Sequence, residues 1–347
     1  MPSNPHPSVD ATRVGDVVDV LDAMTGGRLS APPGPDNPWY VTKSSGLPGK
    51  SVTETPGLVL GDTDAAVRRL AVAMTLTEHD IELARAVGVD LIVAHHPIAD
   101  AASSGGVALR DYLPRYGLSV IECHEAFHGL HPGIGFLHGH APFHHDGSFG
   151  GVHGKVVMVG RPLPGVRTLR DVMARLRRLL DRDLDEAVLR EERALRGGPT
   201  IADSVTAPGL RILHGDPDAL LGDAVIHAFP HTGFDADDLR LLVHDHPEAG
   251  TLILSISSAV PDDELVRVAA ERGLNVVVGS SHATEILENG IPLAYALDEL
   301  LPGVEVQLFR SRVVALPLDV AGTGGLAEYG RQMSDHLVRG AVERRAS

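Results

Sequence analysis

Val89-Asp90-Leu91-Ile92-Val93-Ala94-His95-His96-Pro97 is the stretch on which the reading of this chain turns. The apolar run Leu91 to Ala94 reads as a buried strand, and Pro97 stops it. Successive side chains on a strand point to opposite faces, so His95 and His96 share a site only where the strand ends and the chain twists. The ends of strands are where α/β proteins keep their chemistry. The plainer reading has one imidazole buried against backbone and the other solvated. Against it stand further histidines and a carboxylate at the ends of other expected strands.

Outward from this stretch, strand and helix alternate. Leu70 to Met74 reads as a strand, Glu78 to Val87 as a helix, Asp90 to Ala94 as the strand delivering the paired histidines, Val107 to Tyr116 as a helix and Leu118 to Cys123 as a strand. Short alternation of this kind indicates an α/β layer with substantially parallel strands. Upstream, residues 1 to 10 are expected to be disordered, Val14 to Met24 has the spacing of an amphipathic helix, and Gly26 to Thr55 is rich enough in Gly, Pro, Ser and Asn to be mostly loop. Gly133 to Gly154, with His138, His140, His144, His145 and His153, reads as a flexible connection, an active-site lid or an accessory metal site being the alternative. Lys155 to Gly160 follows as a strand and Leu169 to Leu180 as a helix, and residues 183 to 222 read as a linker or small insertion.

A second alternating section follows: strands at Ala224 to Ala228, Thr251 to Ile256 and Asn275 to Val278, and helices at Asp235 to Val243 and Asp262 to Arg272. It ends in Gly279-Ser280-Ser281-His282-Ala283-Thr284-Glu285, with a helix expected through Leu287. The fold expected is α/β: two related lobes with mixed, largely parallel sheets flanked by helices. The lobes are placed at residues 11 to 160 and 223 to 317, separated by a helix and linker at 161 to 222 and followed by a helical tail at 318 to 347.

Composition removes several classes. A 43% hydrophobic content supports a globular core, while 4% aromatics offer little stacking surface. Thirty basic against forty-six acidic residues give a net charge of −16, which repels nucleic-acid backbones. The arginines between Arg167 and Arg182 have helical spacing and read as a solvated helix face. A single cysteine, Cys123, excludes an intrachain disulfide and thiolate zinc sites, and is read as a small buried hydrophobe. With no signal pattern and no apolar run of membrane-spanning length, the expectation is a soluble, cytoplasmic protein. No Gly-x-Ser-x-Gly, no complete Gly-x-x-x-x-Gly-Lys-Ser/Thr phosphate loop and no strand-linked Gly-x-Gly-x-x-Gly occurs, which counts against serine hydrolases, P-loop enzymes and dinucleotide binders.

Three clusters remain, each after an expected strand: His95-His96, His124 with His128 and His131, and His282 with Glu285. Such strand ends border one crevice in an open sheet. Imidazole suits transition metals, a neighbouring carboxylate bridges two ions or orients a water, and calcium and magnesium prefer oxygen-rich sets. One or two divalent transition ions, zinc, iron, manganese or nickel, are therefore the expected cofactor.

The order of Gly61-Asp62, Leu70 to Met74, a helix, Val89 to Pro97, a strand ending near His124 and a late His-x-x-Glu before Gly290-Ile291-Pro292 resembles the NIF3 family, also called DUF34 or GTP cyclohydrolase I type 2-like. The resemblance covers most of residues 14 to 315. It implies a two-lobed α/β protein with a dinuclear metal site, assembled as a ring-shaped hexamer. Carried over, the paired histidines fall on His95 and His96 and the late carboxylate on Glu285. Where the family has His-Thr-x-x-Asp, this chain has His124-Glu125-Ala126-Phe127-His128, so His128 takes the place of a ligating aspartate. The family's His-x-x-x-Glu is here Ser281-His282-Ala283-Thr284-Glu285. His282 ligates if the turn adjusts, the alternative being a role outside direct coordination or in solvent.

Other motifs depart further. Trp-Asp-Asn-x-Gly-Leu is represented loosely by Asn37-Pro38-Trp39 and Ser45-Gly46-Leu47, Thr75 stands where an aspartate is common, and Ser255-Ile256-Ser257-Ser258 stands where Gly-Glu is expected. These departures point to a divergent member with its own substrate.

The leading functional expectation is a metal-dependent hydrolase acting on a small molecule, of cyclohydrolase, amidohydrolase or phosphoesterase type. Glu285 is the bridging ligand, and Glu125 or His124 handles protons. For Glu125 a structural ion pair or solvent exposure is the alternative. A metal-binding regulatory or scaffold protein, or a metal-dependent redox enzyme, is the competing class. No nucleic-acid or membrane partner is expected, and a homo-oligomer is, a hexamer by the family resemblance.

Overall fold

The structure is a computed structural model and describes residues 11–31, 42–44, 51–54, 56–98, 109–124, 133–152, 154–197, 205–206, 210–257, 259–310, 314–315, 317 and 324–333. These belong to two units, Met1–Leu180 with Gly209–Ser311 and Asp181–Pro208 with Arg312–Ser347.

The larger unit begins with helix α1 (Val14–Met24), a short antiparallel pair β1 (Thr42–Ser44) and β2 (Ser51–Thr53), and strand β3 (Gly57–Leu60). Then come β4 (Arg69–Ala73), α2 (Glu78–Val87), β5 (Leu91–Ala94), α3 (Leu109–Tyr116) and β6 (Ser119–Glu122). Helix α2 is bounded as its sequence asks. The Thr77 side chain accepts from the backbone N–H of Asp80, the Asp80 carboxylate accepts from that of Thr77, and Gly88 leaves the helix at φ 72°. The unit continues with α4 (Gly133–Leu137), β7 (His140–Asp146), β8 (Val157–Pro162) and α5 (Leu169–Leu179).

The smaller unit contributes α6 (Arg182–Arg196) and β9 (Val205–Thr206). The larger unit resumes with β10 (Arg211–His214), β11 (Ala224–Ala228), α7 (Ala236–Asp245), β12 (Ala249–Leu254), α8 (Glu264–Glu271) and β13 (Asn275–Val278). A 3₁₀ segment His282–Leu287, α9 (Gly290–Leu300) and β14 (Glu305–Leu308) complete it. The smaller unit ends with β15 (Val314–Ala315), which pairs antiparallel with β9, and α10 (Gly324–Met333).

Two mixed sheets organise the larger unit, in the orders β14-β4-β5-β6-β3 and β10-β13-β12-β11-β8-β7. Their centres are parallel, β14-β4-β5-β6 in the first and β11-β12-β13 in the second, and antiparallel strands complete each. Both faces of the central strands are covered, which explains runs such as Leu91-Ile92-Val93-Ala94 that are apolar without alternation. Val72, Val93 and Ile121 of one sheet and Val225, Ile253 and Val277 of the other share a core with α1, α5 and α9. The opposite faces are covered by α2 and α3 on the first sheet and by α7 and α8 on the second. Among the described residues no helix is long and apolar enough to cross a membrane.

Three features differ from the sequence expectation. The histidine-rich stretch expected as a flexible connection forms α4 and β7, whose register on β8 runs from His140↔Pro162 to Asp146↔Val157. As an edge strand with Pro142 and no β-branched residue it lacks the usual signature, and pairing with β8 imposes the conformation. Within residues 183 to 222, α6 is a helix carrying a Glu192–Arg196 pair at 2.9 Å, and β10 is a sheet strand. Strand pairing also crosses the expected lobes: β7 and β8 belong to the second sheet, and β14 returns to the first.

Candidate metal centre

Strand β5 ends at Ala94, but its neighbour holds the chain for two residues more. The backbone N–H groups of His95 and His96 donate to the carbonyls of Ala73 and Met74, at 3.0 and 2.7 Å, and that of Cys123 donates to Ala94 at 3.0 Å. The side chains following β5 and β6 are thereby fixed side by side at the carboxyl end of the first sheet. His95 lies 4.7 Å from His124 and 5.5 Å from His96 between ring centroids. One potential ligand atom from each of His95, His96 and His124 falls within 4.8 Å of the others.

Glu285, from the 3₁₀ segment after β13 of the second sheet, meets them. Its Oε1 is 3.1 Å from His95 Nε2 and its Oε2 is 3.1 Å from His96 Nε2. Asn289 donates from Nδ2 to the same Oε1 at 2.7 Å. His95, His124 and Glu285 are buried, while the His96 side chain retains 15% exposure and opens the group towards solvent.

The Nδ1 atoms of His96 and His124 are held from behind. Thr75 Oγ1 lies 2.6 Å from His96 Nδ1, and Glu54 Oε2 lies 3.2 Å from His124 Nδ1. Metal-binding imidazoles characteristically have the second nitrogen held by a carboxylate, carbonyl or hydroxyl, which fixes the ring and its tautomer. The group also combines soft-to-borderline nitrogen donors with one anionic oxygen. By both tests a histidine cluster able to hold a metal ion is present. Cys123 adds no thiolate: burial, and then the charge of Glu122, push its pKa up to about 12.

Of the residues singled out from sequence, His95, His96, His124 and Glu285 are brought together. His124, read as a proton-handling residue, stands in the metal-capable group itself. Glu125 and His128 lie outside the described residues, as do Trp39 and the Ser45-Gly46-Leu47 segment. His282 opens the 3₁₀ segment, and its side chain is likewise outside them. Sequence reasoning missed Glu54, which lies in a stretch expected as loop and carries no local signal. Asn289 had one, its i+4 spacing from Glu285 on a helical stretch.

Residues 50–103 match the family model for Duf34/NIF3 (NGG1p interacting factor 3), and the match contains β4, β5 and the two histidines. Over this segment the chain resembles the DUF34/NIF3 family. In fold it is similar to the reduced form of HcgD from Methanocaldococcus jannaschii, at 12% identity and a TM-score of 0.53, covering 88% of this chain and 100% of that one. A hypothetical protein of Staphylococcus aureus gives 12% and 0.53, covering 87% and 97%. A Bacillus cereus protein related to NIF3 gives 12% and 0.51 with the same coverage. Compared by sequence with curated proteins, the chain has no match. The likeness extends over the NIF3 fold as a whole, while the family model matches only the segment around the paired histidines.

Proposed function

We propose that this NIF3-like protein is a metal-dependent enzyme of hydrolase type, acting on a small molecule at the carboxyl ends of β5 and β6. The observation that carries the reading is the cluster of three imidazoles, two of which bond a buried carboxylate that follows a strand of the other sheet. His95, His96, His124 and Glu285 would hold one or two ions of zinc, iron, manganese or nickel, with His128 and His282 as further ligands. When bound, the metal supplies Lewis acidity and brings a coordinated water towards neutral ionisation, about pH 7 for zinc.

The protein's own groups do the remaining work in this reading. Thr75 and Glu54 orient the rings of His96 and His124, and Asn289 holds the Glu285 carboxylate in place. Glu125 accepts a proton from the attacking water. The partial exposure of His96 supports an open coordination position rather than the closed shell of a purely structural site. Amides, amidines, cyclic bases and phosphoesters are the bond types open to such a centre. We further propose a homo-oligomer, a hexamer by family resemblance, read out by native mass spectrometry.

Metal analysis of the purified protein tests the reading first, followed by calorimetric titration of the metal-free protein with Zn²⁺ and Mn²⁺ and by hydrolysis assays across those bond classes. Stoichiometric transition metal and metal-dependent turnover are expected. Stoichiometric magnesium or calcium alone, or no binding of either transition ion, would overturn it.

A further inference from the structure

On the inner face of the six-stranded sheet the strands turn polar at one level. Two residues beyond Val225, Ile253 and Val277 of the shared core come His227, Ser255 and Gly279. His138, in the turn after α4, and His140, the first residue of β7, join this row, and Glu288 at the end of the 3₁₀ segment closes it. All five polar residues, His138, His140, His227, Ser255 and Glu288, are 0% exposed.

They form one chain of hydrogen bonds. His140 Nε2 lies 2.9 Å from His227 Nδ1, His227 Nε2 lies 2.7 Å from Ser255 Oγ, and Ser255 Oγ lies 2.8 Å from His138 Nε2. His138 Nε2 is also 3.3 Å from Glu288 Oε1, which accepts from the Ser280 backbone N–H at 2.7 Å. Two glycines make the space. A Cβ at Gly279 would stand 2.5 Å from His138 Nε2 and 2.7 Å from Glu288 Oε1, and one at Gly160 would collide with His140 Nδ1. Beside Ser255, Ile256 is held at φ 53°, a left-handed conformation that a β-branched residue adopts only where its surroundings impose it.

The direction of this chain follows from its ends. Ile134 O, 2.8 Å from His138 Nδ1, can only accept, so that nitrogen carries hydrogen. With a second proton on Nε2, His138 faces Glu288 as an ion pair and donates to Ser255. Ser255 then donates to His227 Nε2, His227 Nδ1–H to His140 Nε2, and His140 keeps its proton on Nδ1. Without that proton, Ser255 donates to His138, His227 Nε2–H to Ser255, and His140 Nε2–H to His227.

We propose that His138, Ser255, His227 and His140 form a proton wire, in which loss of one proton reverses every hydrogen bond from His138 to His140. In the reversal the proton of the buried His140 Nδ1 is lost to bulk solvent through opening of the edge strand β7, that of His227 Nδ1 passes to His140 Nε2, that of Ser255 to His227 Nε2 and that of His138 Nε2 to Ser255. The wire ends one turn from Glu285 and stands whether or not a cation binds there.

Among the described residues, two charged side chains are placed beside it. Glu288 comes from the 3₁₀ segment, and from α5 Arg175 donates through Nε to the carbonyls of Phe136 and Leu137, at 3.0 and 3.2 Å. From α4, β8 and β11 come apolar walls, Ile134, Met158 and Phe229, whose ring stacks on His227 at 4.8 Å. Burial, reinforced by His138, holds His140 down to about 3 and His227 well below the ordinary imidazole value, so these two serve as neutral relays. Burial alone would raise Glu288, but the His138 charge and the bonds from His138 and Ser280 outweigh it and hold it low.

Nitrogen NMR of the ¹⁵N-histidine protein, followed across pH, tests the wire. As His138 changes charge, His227 and His140 are expected to switch from the Nδ1–H to the Nε2–H tautomer at the same midpoint. Ser255→Ala should leave His138 titrating while His227 keeps one tautomer, and Ser255→Thr, which retains the hydroxyl, should restore the coupled switch. The proposal is overturned by a wild-type His227 that keeps its tautomer while His138 changes charge, by a switch unchanged in Ser255→Ala, or by a His138 whose charge stays constant over the whole pH range in which the protein remains folded.

Discussion

Glu285 gathers hydrogen bonds from His95, His96 and Asn289, side chains of one strand end and a helix start. An amide in its place offers one accepting oxygen instead of two and removes the anion that, among the described residues, touches the paired imidazoles. Glu285→Gln should therefore weaken Zn²⁺ binding beyond the roughly 10- to 100-fold expected for the supporting residues in Glu54→Gln and Thr75→Val. Competition with a chelating dye measures the order. Exposed His144 is the control, and an His144→Ala loss as large as that of Glu285→Gln would dissociate the carboxylate from metal binding. A second expectation concerns Cys123, whose thiol is buried and held neutral. Ellman's reagent at pH 8 should leave it unmodified until denaturant is added, and prompt labelling of the folded protein would contradict its burial. At this scale His95, His96 and Glu285 were legible because strand ends announce them. Glu54 was not, because its role arises wholly from packing against His124.

Among the elements, those with strong local patterns formed where the sequence placed them. Helix α2 has its capping box and terminal glycine, and β5 has its apolar run. Strand β7 shows why the others were opaque. Its histidines look like a loop composition, yet His140 is buried on the sheet's inner face because Gly160 of β8 leaves room for the ring. That fit makes a prediction. Gly160→Ala forces a methyl group into His140 Nδ1 and the Ala141 carbonyl, and should cost about 1–3 kcal/mol, the usual range for overpacking. Urea denaturation measures it, and a stability equal to wild type would mean that β7 and β8 separate easily. His227 carried a fainter signal, as an imidazole inside the otherwise apolar strand Ala224–Ala228, at the parity of the core-facing Val225.

Across the larger unit, alternation of strand and helix announced the fold class, but not that β14 would return to the first sheet or β7 and β8 join the second, since pairing partners far apart in sequence leave no local trace. The same architecture places uncharged imidazoles deep in a core, with a consequence for the stability of the whole fold. In the unfolded chain His140 and His227 take up protons near pH 6.5, whereas burial holds the first down to about 3 and the second well below its ordinary value. Above pH 6.5 both states carry these rings neutral, and the two histidines give stability no pH dependence. Below it the unfolded state binds two protons that the folded state refuses, so stability falls with acidification at up to about 2.7 kcal/mol per pH unit from this pair. Urea midpoints at pH 7.5, 6.5, 5.5 and 5.0 should be level at first and then drop. The variant His227→Gln, which keeps hydrogen-bonding atoms without a titrating ring, should lose about half of the pair's contribution to that slope. A wild-type midpoint as high at pH 5 as at pH 7 would mean that the two rings are charged in the folded protein, and with charged rings at both positions neither of them has the free nitrogen through which a proton could be relayed.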